Sequence, residues 1–211
     1  MITRSRRGSP RPLLLLSLVF ALTGCGSQDA INIVAVDRSG STAGIRRNLR
    51  LLLVNAFNRS QDAGQQFAAW AVDRQAICLY GPRKAELDRL PPEVQQQLEP
   101  GAAPKTETRT RPALFWEEMA NRYPQSPTLV RIAYLTDGGN DFAGDLSRIQ
   151  AAVQRLARNP KVYVTIAGVQ ADQRGWLERA FAPLGPRFQI AGRGEEEPAL
   201  EQWMALGTER K

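Results

Sequence analysis

Residues 31–36, apolar at every position but Asn32, form a run without alternation that ends on Asp37, and this limits the fold more than any other stretch. A strand with one wet face alternates apolar and polar residues, so a run without alternation has to be covered on both faces. That requirement points to a sheet sandwiched between helices. Residues 43–58 supply the first helix: Ile45, Leu49, Leu52, Leu53, Ala56 and Phe57 recur on one helical face, with Ser41 or Thr42 as its cap. Strands are then expected at 66–72 and 75–80, separated only by Asp73 and Arg74. So short a gap permits a hairpin but no crossover helix, which makes one strand antiparallel to the rest.

Residues 81–105 are rich in proline and glutamine, with a weak helical middle at 93–98, and read as a surface excursion. Beyond them come a helix at 112–123, opened by Pro112, and a strand at 128–136. A helix at 145–158 capped by Asp145, a strand at 162–169 and a helix at 172–181 follow, then a short strand at 187–191 and a closing helix at 198–206. The alternation predicts an α/β fold: a doubly wound, mostly parallel sheet with one antiparallel strand and helices on both faces. Trp116, Trp176 and Trp203 fall on predicted helices and are expected in the core.

At 211 residues, with 43% hydrophobic content, the chain supports one globular domain, expected over residues 31–206 with a short tail at 207–211. It contains no histidine, which excludes an imidazole base, a Ser-His-Asp triad and every histidine-containing zinc site. Any metal has to be held by oxygen.

The amino-terminus carries Arg4, Arg6, Arg7 and Arg11 ahead of an apolar run at 13–22, the order of a bacterial export signal over residues 1–24. The run is too short to span a bilayer. It ends in Leu22-Thr23-Gly24-Cys25, which resembles the lipobox of bacterial lipoproteins and implies a lipid on Cys25. Loss of residues 1–24 removes four arginines and no acid, so the formal charge of +7 falls to +3, 24 basic against 21 acidic groups. The case for nucleic-acid binding weakens accordingly. Beyond Cys25, which with the tether makes up residues 25–30, Gly26 to Ala30 leave at most roughly 17 Å, which holds the domain close to a membrane of the cell envelope. Cys78 then has no disulfide partner and is expected as a buried, inert thiol.

Three polar clusters remain: Asp37-Arg38-Ser39-Gly40-Ser41 after the first strand, Thr108-Arg109-Thr110 before a helix, and Thr136-Asp137-Gly138-Gly139 after another strand. Carboxylates and hydroxyls are the ligands of a hard divalent cation. In an open doubly wound sheet, such strand-end loops meet where strand order reverses. Taken singly, each residue also fits strand termination or helix capping.

The ordered set resembles a von Willebrand factor type A domain, the module also found as the integrin inserted domain. Asp37, Ser39 and Ser41 match that family's Asp-x-Ser-x-Ser loop. The stretch Thr108-Arg109-Thr110-Arg111-Pro112-Ala113-Leu114 resembles its Thr-x-Thr-x-x-Ala-Leu segment, and Leu135-Thr136-Asp137-Gly138 its Thr-Asp-Gly turn. The resemblance implies a metal-ion-dependent adhesion site built from Asp37, Ser39, Ser41, Thr108 and Asp137, with Thr106 and Thr110 as competing threonines. It implies Mg2+, with Mn2+ able to substitute, and an open position filled by an aspartate or glutamate of a protein partner. The two aspartates act partly through water in that family.

A monomeric binding module rather than an enzyme is therefore expected. Arg38, Arg109 and Arg111 flank the ligands and are expected to form a basic rim that steers acidic partners. Two rival readings stand beside it. One is a scaffold of the same fold that does not use the metal site. The other is a haloacid-dehalogenase-like phosphatase with Asp37 as nucleophile, although that family has an acid two residues on, where this chain has Ser39.

Overall fold

The computed structural model describes residues 29–42, 46–84, 89–98, 109–142 and 144–208. The export segment, Cys25, Thr106 and Thr108 lie outside them. Six strands form one sheet: β1 (Ala30–Asp37), β2 (Gln66–Val72), β3 (Ala76–Lys84), β4 (Leu129–Leu135), β5 (Val162–Val169) and β6 (Phe188–Gly192). Their spatial order is β3-β2-β1-β4-β5-β6. All neighbours are parallel except β2 and β3, the pair joined by the short turn at Asp73 and Arg74. Winding proceeds outward from β1 on one side and from β4 on the other, so strand order reverses between these two central neighbours.

The side-chain period of two sorts each strand onto two cores. Ile33, Ala35, Ile132 and Tyr134 face one layer with α3 (Pro112–Arg122), α4 (Asp145–Ala157) and α5 (Arg174–Phe181), where Trp116 and Phe181 pack edge to face at 4.8 Å. Val34, Val36, Ala133 and Leu135 face the other, with α1 (Arg46–Asp62) and α6 (Glu196–Ala205). Every residue of β4 is buried, and every residue of β1 except Ile31, as the lack of alternation requires; the polar exceptions Asn32 and Arg131 bond each other (3.1 Å).

Four local expectations are corrected. The excursion after β3 is not merely superficial: around α2 (Pro92–Gln96), Leu90, Val94 and Leu98 are buried in the second core. Cys78 is exposed, because β3 is an edge strand and half its residues face solvent; edge position depends on strand order, which apolar composition does not report. Asp145 does not cap α4. Gly144 holds that position with a φ of 87°, while the buried Asp145 carboxylate pairs with Arg148 at 3.4 Å and Arg111 at 3.6 Å. Trp116 and Trp203 are buried, whereas Trp176 is half-buried and donates its indole N–H to the Gly138 carbonyl (3.2 Å).

Candidate metal centre

The carboxyl ends of β1 and β4 meet at the reversal of strand order, which is where an open sheet of this kind leaves a crevice. Asp37 ends β1 and is buried, with both carboxylate oxygens engaged. Oδ1 accepts the Ser39 N–H (2.7 Å) and the Thr110 hydroxyl (2.8 Å), and Oδ2 accepts the Thr136 hydroxyl (2.7 Å). One residue therefore gathers all three clusters. Thr42 clamps the first loop by donating its hydroxyl to the Asp37 and Ser39 carbonyls, at 3.0 and 2.9 Å.

The clamp brings the Ser39 and Ser41 hydroxyl oxygens to 2.9 Å from each other. Two cis ligands of an octahedral magnesium ion, bonded at about 2.0–2.1 Å, are also about 2.9 Å apart. Asp137, buried just after β4, accepts the Gly139 N–H on Oδ1 (3.1 Å) and the Gln170 side-chain amide on Oδ2 (3.2 Å). Each of its oxygens keeps a further lone pair. No three acidic or cysteine side chains converge among the described residues, so an ion here would depend on neutral hydroxyls. The donor set fits a hard cation and no soft one.

Burial pushes the Asp37 carboxyl up to about 6, against the downward pull of hydrogen bonds from Ser39, Thr136 and Thr110. A cation close by would favour the ionised form that burial penalises.

The expected basic rim is only partly present. Arg38 is buried at 5% exposure, its guanidinium paired with Asp73 and donating to the Gln97 carbonyl (3.1 Å), so it braces the loop and cannot steer a ligand. Arg111 is partly spent on Asp145 and lies over the Phe142 ring at 4.6 Å. Arg109 is exposed. Of Thr106, Thr108 and Thr110, only Thr110 is among the described residues, and it reaches Asp37; its N–H also donates to Asp141 Oδ2 (2.7 Å).

Sequence reasoning missed Thr136, Gln170 and the Arg38–Asp73 pair as parts of the site. Thr136 carried a signal, since it precedes Asp137 at the end of a central strand. Gln170 carried only its place one residue beyond β5, and the Arg38–Asp73 pair joins loops 35 residues apart with no motif.

No protein-family model and no curated protein matches the chain. Solved structures do. Proximal thread matrix protein 1 from the mussel byssus superposes with a TM-score of 0.59 at 13% identity, over 85% of this chain and 48% of that one. The von Willebrand factor type A structure from Catenulispora acidiphila gives 0.56 at 16% identity, over 83% and 41%. This chain has the von Willebrand factor type A fold. An aerotolerance-related membrane protein from Bacteroides fragilis gives 0.52 at 12% identity, over 83% of this chain and 96% of that one. The chain thus spans about half the length of the mussel protein and nearly all of the Bacteroides one. Within the type A fold, Asp37 and Asp137 occupy the ends of the two central strands.

Proposed function

We propose that the chain is a type A binding module that captures an acidic protein partner through a divalent cation held by Ser39, Ser41, Asp37, Asp137 and a threonine of the 108–110 segment. The observation that carries this is the gathering of all three polar clusters on Asp37, with the Ser39–Ser41 hydroxyls paired at 2.9 Å. Mg2+ suits the all-oxygen set and Mn2+ can substitute. When bound, such a cation supplies an open position for an outside carboxylate oxygen. The chain's own part is to orient the two serine hydroxyls through Thr42 and to fix Asp37 in a dry site by hydrogen bonds from Ser39, Thr110 and Thr136. Because both Asp37 oxygens accept hydrogen bonds inside a buried site, the geometry favours binding over phosphoryl transfer, which needs an exposed nucleophilic oxygen.

The lipobox-like Leu22-Thr23-Gly24-Cys25 supports a lipid anchor in a bacterial envelope. The Bacteroides fragilis protein, described as membrane-related, is consistent with that setting. No helix of the described residues is long and apolar enough to cross a membrane.

Calorimetric titration of the purified protein with Mg2+ and Mn2+ tests the reading. Saturable binding is expected, weakened at least about tenfold by Ser39→Ala or Asp37→Asn. Thr108→Ala and Thr110→Ala, measured in parallel, assign the threonine. If neither ion binds, the scaffold reading takes over.

A further inference from the structure

We propose that the acidic partner has a second anchor beside the metal centre: the cleft at the carboxyl ends of β5 and β6, where Arg193 takes a further carboxylate from the same extended segment. This rests on the metal-dependent reading above. Val169, Gln170, Ala171, Arg174, Gly192, Arg193 and Glu195 line the cleft.

Backbone continuity ties it to the candidate ligands. The Arg193 N–H donates to the Val169 carbonyl (3.2 Å), and the next residue, Gln170, holds Asp137 twice, through its N–H to the carbonyl (2.9 Å) and its side-chain amide to Oδ2 (3.2 Å). Asp137, Gln170 and Arg193 thus follow three successive strands of the sheet.

Charge selects the occupant. Arg193 is exposed and has no acidic partner among the described residues. Arg174 brings a second guanidinium, shared with the exposed Glu178 at 2.8 Å. The acid on the cleft wall, Glu195, is exposed, and one of its oxygens, Oε2, accepts the Gly192 N–H at 2.8 Å, leaving two guanidinium groups against one carboxylate. What the cleft offers is therefore a basic anchor between short apolar walls. Two arginines beside Val169 and Ala171 suit an isolated carboxylate better than a phosphate polymer, whose binding needs a longer series of cations.

Spacing sets the ligand's form. Two inter-strand steps separate Asp137 from Arg193 and three separate the Ser39–Ser41 loop from it, about 10 and about 14 Å between backbones, and the shared cation would lie between those limits. Acids two positions apart on an extended chain share a face and lie about 7 Å apart, and the length of the Arg193 side chain covers the difference. A diacidic extended segment fits both anchors at once.

Fluorescence anisotropy with two labelled, end-blocked glycine–serine peptides tests this. One carries a single glutamate, the other a second glutamate two positions on. Both are measured with Mg2+ and with chelator, at low and high salt. The diacid is expected to bind about fivefold tighter than the monoacid at low salt, an advantage that shrinks as salt rises. Arg193→Glu, and more mildly Arg193→Gln, should remove the advantage and leave monoacid binding unchanged. Equal affinity for the two peptides, or an advantage that survives both Arg193→Glu and Arg174→Glu, overturns the second anchor while the metal reading stands. No Mg2+-dependent binding of either peptide overturns both. Retention of phosphatidylglycerol vesicles or duplex DNA by these arginines, without preference for the diacid, overturns the choice of partner.

Discussion

Asp37 is a carboxylate placed where burial opposes its charge, and this gives the metal-free protein a defined pH response. Its folded value, about 6, lies above the ordinary 3.8, so the folded state binds its proton more readily than the unfolded chain. The resulting contribution to stability is complete below about pH 4 and is lost as pH rises through 6. In chelator, thermal melts at pH 5 and pH 7.5 should therefore differ by more in the wild type than in Asp37→Asn, with the wild type relatively favoured at pH 5. Parallel behaviour of the two proteins would remove the argument. Gly138 is the other sensitive position, since its φ of +90° is disfavoured for any side chain. An added Cβ would also stand 2.8 Å from Gln173 Cβ and 3.1 Å from Val169 Cγ1. Gly138→Ala should cost on the order of 1–3 kcal/mol in urea unfolding and weaken Mg2+ binding, because the turn also carries Asp137.

At the scale of elements, Arg38 joins its own loop to the end of β2 with its hairpin turn and to the segment after α2. Its backbone N–H bonds Val72 at the end of β2, and its guanidinium meets Asp73 in the hairpin turn and Gln97 just after α2. The Arg111 N–H, at the start of α3, closes the same assembly by donating to the Asp73 carbonyl (2.7 Å). Both charged side chains are buried, at 6% and 5% exposure, so removing one takes a close opposite charge from a group held away from water. Asp73→Ala should cost about 3 kcal/mol or more, and combining it with Arg38→Met should recover much of that loss. Denaturant unfolding of the two single variants and the double variant measures the coupling. Additive costs would mean that the pair does not act as a unit.

Over the whole molecule, the two ends of the sheet have different work. The carboxyl end carries the hydroxyls and carboxylates. At the amino end, Arg131 is buried and donates to Asn32 (3.1 Å), Gln65 (3.2 Å) and the Leu206 carbonyl (2.7 Å), in a network that ties β1 and β4 to the end of α1 and the end of α6. The chain enters the sheet at Ala30, on this second end, and β1 then runs about 23 Å to Asp37. A lipid on Cys25 would therefore leave the candidate metal centre facing away from the membrane, toward partners. Cys25→Ser should shift the protein from the membrane to the soluble fraction of fractionated cells and abolish incorporation of labelled palmitate. An unchanged distribution would overturn the anchor.

The amino-acid sequence alone determined the doubly wound sheet, its one antiparallel pair and the candidate residues Asp37, Ser39, Ser41 and Asp137. Those properties are local: a strand covered on both faces is apolar at nearly every position, a gap of Asp73 and Arg74 cannot hold a helix, and polar residues after a strand stand at its end. Tertiary structure decided which groups share a bond across the molecule. Thr110 and Thr136 reach Asp37 over 73 and 99 residues, Arg38 turns inward because Asp73 lies beside it, and Cys78 is exposed because its strand lies at the edge. Pairing and edge position depend on the order in which strands assemble, and no window of sequence contains that order.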